Sequence, residues 1–158
     1  MENKIRWGIL GTGRIARAFA EGLKYTQNAE LIAIASRTLE SAQSFANEWQ
    51  IPHAFGSYEE LAESELLDAV YIATPHTEHV KNAILCMEKR KAVLCEKPLA
   101  VNAAEVGKMI QEAKKQDVLL MEGMWSRFPP LMHEVRRLIK ENEIGEIRTI
   151  HADFGFRP

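Results

Sequence analysis

Cysteine is scarce in this sequence. Cys86 and Cys95 are its only two, they lack metal-site spacing, and each lies in an apolar pattern. A disulfide framework is therefore excluded, and buried reduced thiols are expected. Charge of one sign is also lacking: the formal net charge of −2 gives no broad footprint for nucleic acid or an anionic membrane. Long hydrophobic runs are missing too. The stretch from Ala69 to Ala73 is strand-length, far short of the ~20 residues that span a bilayer. The opening MENKIRWGIL has no hydrophobic signal segment, and neither internal repeats nor low-complexity tracts occur. What remains is an ordinary globular composition, 46% hydrophobic and 27% charged, with a cytoplasmic location expected.

Apolar periodicity alternates between two kinds of segment. Strand-like runs fall at Ile5 to Leu10, Glu30 to Ala35, 68–75, 92–98 and 118–123. Between them lie helical patterns from Arg14 to about Tyr25, from Leu39 to Trp49, in the brief SYEELAES, from His79 to Lys89, and from Asn102 to about Gln116. Thr38 is placed to cap the second of these, and the Ser57/Glu60 and Asn102/Glu105 pairs have capping-box form. Ile51 to Phe55 reads as a short extended link. Strands alternating with helices at crossover length predict an α/β fold with a doubly wound parallel sheet over residues 1–123. Residues 124–158 differ: a helix opening at the Phe-Pro-Pro of 128–130 and ended by Gly145, then an alternating strand over 146–156. They are expected to be a linker helix and the first strand of a second, α+β domain, so that the chain is a fragment of a longer protein.

The stretch GILGTGRIA (8–16) carries the first chemistry. Gly11, Gly13 and Ala16 form Gly-x-Gly-x-x-Ala between a strand and a helix. The first glycine permits the tight turn, and the second lets backbone approach a pyrophosphate. The small third residue lets helix and strand pack. Thr12, Arg14 and Ile15 belong to the same loop and helix start, whose free N–H groups favour an anion. A purely structural turn is the alternative reading. At the end of the second strand an NAD site usually places an acid for the ribose hydroxyls. Here stand Ser36, Arg37 and Thr38, a guanidinium and two hydroxyls suited to a 2′-phosphate. NADP is the cofactor expected, with NAD as the other possibility and a solvated Arg37 as the bland alternative. The missing acid also argues against an S-adenosylmethionine methyltransferase.

Together with that loop, TPHTEH (74–79), CEKPLA (95–100) and EGMWSRFPP (122–130) closely resemble the glucose–fructose oxidoreductase/inositol dehydrogenase family of NAD(P)-dependent oxidoreductases. Within it, the Trp-Ser-Arg-Phe segment looks most like the dimeric dihydrodiol dehydrogenase branch. The resemblance covers nearly the whole chain and implies a Rossmann cofactor domain. It also implies that Lys97 of Glu-Lys-Pro lies beside the nicotinamide and the reacting carbon. A lysine there can stabilise developing alkoxide or act as acid and base. Glu96 would orient the site, and Pro98 would follow a cis bond. Thr74, Pro75, His76 and His79 would contact the cofactor, although the histidines could equally be satisfied turn and cap residues. His76 departs from the family's commoner asparagine. A metal reading of the two histidines lacks a third ligand, so none is expected. Trp125 and Arg127 would wall the cofactor and substrate pocket, or Trp125 would pack the domain junction. Phe154 and Phe156 are either an aromatic wall or sheet core, with core favoured.

The implied activity is hydride transfer between NADP(H) and a sugar, cyclitol or cyclic diol, in a protein that assembles as a homo-oligomer. The fragment by itself is expected to bind cofactor with little turnover. A non-catalytic NAD(P)-binding sensor is the alternative, since fold alone does not fix function; an intact Glu-Lys-Pro argues against it.

Overall fold

The central strands are apolar at consecutive positions, and the structure buries both of their faces. In this computed structural model, which describes residues 4–155, the strands are β1 (Ile5–Leu10), β2 (Ala29–Ala35), β3 (His53–Phe55), β4 (Ala69–Ile72), β5 (Ala92–Cys95) and β6 (Leu120–Glu122). They form one parallel sheet in the order β3-β2-β1-β4-β5-β6. The helices are α1 (Arg14–Leu23), α2 (Leu39–Trp49), α3 (Tyr58–Glu63), α4 (His79–Glu88), α5 (Ala103–Gln116) and α6 (Pro130–Lys140).

Because strand side chains alternate, two cores result. One contains Leu10, Ala33, Ala35, Val70, Ile72, Val93 and Cys95, packed with Leu61, Cys86, Met87 and Met109 of α3, α4 and α5. The other contains Ile9, Ile34 and Tyr71, packed with Ala16, Ala20, Phe45 and Ala46 of α1 and α2. Phe45 is almost fully enclosed, which for a side chain of that size stabilises by about 1.5–3 kcal/mol. Both cysteines are buried and unpaired, and burial pushes their thiols up to about 12. No helix among the described residues is long and apolar enough to cross a membrane.

The expected caps are present. Thr38 Oγ1 accepts from the Ser41 N–H, Ser57 Oγ from that of Glu60, and Asn102 Oδ1 from that of Glu105. Glu60 answers by accepting from the N–H of Gly56. The extended link over 51–55 proves to contain a strand, β3, paired in register with Ala33–Ala35. Its brevity hid it, since three residues carry no periodicity.

Compact units divide after Gly123. In the second unit, a short 3-10 turn at Trp125–Arg127 precedes α6, which ends at Lys140. The chain then turns through Asn142 and Gly145, both at positive φ, so Gly145 lies beyond the helix rather than ending it. The strand expected over 146–156 is not formed as far as residue 155. Strands exist by ladder hydrogen bonding to a neighbour, and among the described residues no ladder includes this segment. Phe154 is 83% exposed rather than core; Phe156 lies outside the described residues.

At the amino ends of β1 and β4, Arg6 and Asp68 join through both backbone and side chain. Arg6 Nη2 donates to Asp68 Oδ1 at 2.7 Å, and its main-chain N–H donates to Oδ2 at 2.8 Å. Hydrogen bonding from Arg6 holds the Asp68 carboxyl below its ordinary value of 3.8. A depressed carboxyl stabilises the fold fully above that value and loses its effect as pH falls through the lowered one. Asp68→Asn should therefore lower the urea midpoint at pH 7, and the difference from wild type should close as the titration is repeated below about pH 4.

Candidate nucleotide-binding site

Chain direction decides where a groove opens. From β1 the chain winds outward to β2 and β3, then crosses back to lay β4 on the other side of β1. Crossovers leave β1 in opposite directions, so the carboxyl ends of β1 and β4 face a crevice. A cavity of about 580 Å³ lies there, lined by Gly11, Thr12 and Gly13, by Ser36 and Arg37, by Tyr58, and by Ala73–Pro75 with Thr77 and Glu78.

The loop after β1 is shaped by two different glycines. Gly11 adopts φ +101°, and a Cβ there would lie 2.8 Å from the Ala73 carbonyl oxygen. Its N–H donates to Ala35 O at 2.9 Å, tying the turn to β2. Gly13 is instead extended and stands at the N-cap of α1, where a Cβ would meet nothing within 4 Å. It offers no side-chain cap, and the first turn of α1 has no acid. The N–H groups of that turn thus have no side-chain cap or first-turn acid to accept from them, an arrangement suited to phosphate oxygens. Ala16 is fully buried against the sheet, as the small-residue position requires. Arg17, absent from the motif, braces the loop: its Nη1 donates to Thr12 O at 3.0 Å while Nη2 pairs with Glu48 at 2.8 Å.

At the end of β2, Ser36 is buried and Arg37 exposed, both lining the groove. Thr38 does not line it; its hydroxyl donates to Ser41 Oγ at 2.9 Å and caps α2. Tyr58 enters from the start of α3, and no motif announced it. Burial raises its phenol, with Arg37 opposing and Glu78 reinforcing that shift, so all three share one corner of the groove.

Past β4, Thr74 and Pro75 line the groove, whereas His76 is exposed in a 3-10 turn over His76–Glu78. His79 is 1% exposed. Its Nε2 lies 3.0 Å from Thr74 O and its Nδ1 2.8 Å from Pro98 O. Both nitrogens thus face backbone carbonyls, the ring N–H donating to one of them, so His79 lies between the loops after β4 and β5 rather than presenting a free edge. Asn82, one helical turn on, donates to Thr74 Oγ1 at 3.0 Å.

The Glu-Lys-Pro segment leaves β5 beside β4. Glu96 N–H donates to Ile72 O at 3.0 Å, and the Lys97–Pro98 bond is cis. Lys97 is exposed; its main-chain N–H donates to Glu96 Oε2 at 3.1 Å. The other oxygen, Oε1, accepts from the Tyr71 hydroxyl at 2.5 Å. Burial above all, and then Glu96, drives the Tyr71 phenol strongly upward. Leu99 N–H donates to Glu122 at 2.8 Å, fastening the loop to the end of β6. In the second unit, Trp125 is 61% exposed, and Arg127 O accepts from Arg136 Nη2. Among the described residues no three His, Cys, Asp or Glu side chains gather as a metal site.

A glycine-rich strand-to-helix turn at the switch point of a doubly wound parallel sheet defines a Rossmann dinucleotide-binding domain. Residues 5–124 match the model of the oxidoreductase family with an NAD-binding Rossmann fold that is named for glucose–fructose oxidoreductase and inositol dehydrogenase. The chain belongs to that family. Among its relatives, the trans-1,2-dihydrobenzene-1,2-diol dehydrogenase of Mus musculus is 46% identical over 154 residues, 96% of this chain and 46% of the mouse protein. That of Danio rerio is 44% identical over 153 residues, again 96% of this chain and 46% of the relative. The chain thus spans a little under half the length of these relatives. A 3-ketoreductase from Actinomadura kijaniata, solved with NADP and TDP-benzene, superposes with a TM-score of 0.85 at 31% identity, covering 92% of this chain and 45% of that one. A probable dehydrogenase from Thermotoga maritima gives 0.84 at 33%, covering 89% and 42%.

The two glycines should separate in mutagenesis. Gly11→Ala forces a positive φ and a backbone clash, and should cost about 1–3 kcal/mol in denaturant unfolding. Gly13→Ala should cost less, about 0.5–1 kcal/mol for a poorer N-cap, while weakening nucleotide binding by calorimetry, because its methyl fills space that a pyrophosphate needs.

Proposed function

We propose that this chain is the cofactor domain and the opening of the second domain of an NADP(H)-dependent oxidoreductase. Its substrate is a cyclic diol, sugar or cyclitol. The observation that carries the reading is the groove at the ends of β1, β2 and β4, with Gly13 open on one side and Arg37 rather than an acid on the other. The residues fit a dinucleotide. Gly11 to Gly13 and the start of α1, with Arg14 and Ile15, would hold the pyrophosphate. Ser36 and Arg37 would take a 2′-phosphate, a charge-assisted contact worth about 1.5–3 kcal/mol. Thr74 and Pro75 would line the path toward Lys97. A nicotinamide bound there supplies hydride transfer at its C4.

Lys97 carries the protein's share of the chemistry. Its ammonium donates to the substrate oxygen, stabilises the alkoxide as it develops, and passes a proton on or off that atom. Glu96 orients the segment through the Lys97 main chain. His79 acts through the two carbonyls it engages, keeping the loops after β4 and β5 in register. Homo-oligomerisation belongs to the second domain. The names of the diol dehydrogenase relatives favour the cyclic diol among the substrate classes. Two buried, unpaired thiols suit a reducing, cytoplasmic setting.

Parallel calorimetric titrations with NADPH and NADH test the cofactor. Wild type should favour NADPH, and Arg37→Ala should lose about ten- to hundredfold of NADPH affinity while leaving NADH little changed. Equal NADH binding in wild type overturns the assignment to NADP. In the full-length protein, Lys97→Ala should abolish turnover with cofactor affinity retained. Near wild-type turnover in that variant would overturn the catalytic role of Lys97.

A further inference from the structure

Tyr71 is a buried ionisable group whose hydroxyl points toward the Lys97 segment. Its ring is held in place on β4. It stacks on Phe19 of α1 with centroids 3.9 Å apart and planes 16° apart, and it is 3% exposed. Neighbouring residues on the strand, Val70 and Ile72, face the opposite core, so the phenol can emerge only on this side. Its hydroxyl meets Glu96 Oε1 at 2.5 Å. Gly123 closes the other side: a Cβ there would stand 3.4 Å from the same oxygen. Glu96 therefore sits in a slot with Tyr71 as its donor, and its second oxygen reaches the N–H of Lys97 at 3.1 Å.

Adjacent opposite charges would ordinarily be free to pair. Here both carboxylate oxygens have other donors, and among the described residues the Lys97 ammonium has no side-chain partner. We propose that Tyr71 is a positioning residue: its hydroxyl pins the Glu96 carboxylate to the Lys97 main chain and so withholds it from the Lys97 ammonium. The inference rests on the reading of Lys97 as the group beside the substrate oxygen. A lysine paired to its own neighbour would offer that oxygen a weaker donor and would surrender its proton less readily. Phenylalanine at position 71 would keep the stack and lose only the pin.

The test uses the chain as it stands, with no substrate required. Acetic anhydride at pH 8 labels free amines, and peptide mass spectrometry reports the rate at Lys97 against exposed Lys108 on α5 as internal reference. In Tyr71→Phe the released carboxylate pairs with the ammonium, and the Lys97 rate should fall by about two- to fivefold, the range expected of an exposed ion pair. In a Glu96→Gln background the same Tyr71→Phe change should have no effect, because no carboxylate is left to release. Glu96→Asp draws the carboxylate out of the phenol's reach without touching the core. It should reproduce the fall even if Tyr71→Phe does not fold. An unchanged or faster Lys97 in Tyr71→Phe or Glu96→Asp overturns the proposal. So does an equal fall in the Glu96→Gln background, which would mark a merely structural effect. Protection of wild-type Lys97 by saturating NADPH tests the underlying site separately. Its absence would sink the placement of Lys97 at the nicotinamide and leave the Tyr71–Glu96 coupling to be judged on the variants alone.

Discussion

The close passage of the β1 turn beneath the β4 loop is the constraint on which the rest of this domain depends. With a Cβ position only 2.8 Å from the Ala73 carbonyl, position 11 admits glycine alone, and only at the positive φ it adopts. That contact lets β1 and β4 run side by side to their carboxyl ends, with Ala73 N–H donating to Leu10 O at 2.9 Å. The groove, the open face of Gly13 and the placement of Arg37 opposite Thr74 all follow from the two crossovers parting at that point.

Around the groove, polar side chains are used to fix backbone rather than to present themselves. Arg17 holds the Thr12 carbonyl, Asn82 the Thr74 hydroxyl, His79 the carbonyls of Thr74 and Pro98, and Glu122 the Leu99 N–H. A loop carrying unsatisfied carbonyls would be costly to bury. These contacts offset part of that cost and tie the loops to the helices and strands beneath them. Arg37 and Lys97, by contrast, are exposed at strand ends. Tyr71 and Glu96 belong to both sets, since a core phenol controls a carboxylate one residue from the lysine.

Much of this was legible along the chain. Continuous apolar runs and helical patterns located β1, β2, β4, β5, β6 and the long helices. Thr38, Ser57 and Asn102 marked helix starts because capping is a local interaction among neighbours in sequence. Gly11 and Gly13 announced the loop for the same reason. β3 was missed because three residues show no period, and the segment after Gly145 alternates like a strand although among the described residues no ladder includes it. His79 illustrates the limit more sharply. Its motif position suggested cofactor contact, yet the fold buries it and sets both nitrogens against backbone carbonyls 5 and 19 residues away.

The sequence by itself determined the α/β class, the parallel winding and the glycine-rich turn after β1, because these depend on short-range patterns. Tertiary structure alone decided which of two similar glycines is confined and which is open. It also decided that Tyr58 joins the groove, that Thr38 is spent on a cap, and that Tyr71 grips Glu96 across 25 residues of chain. Those are contacts between strand ends brought together by the crossovers, and no periodicity records which side chains will meet there.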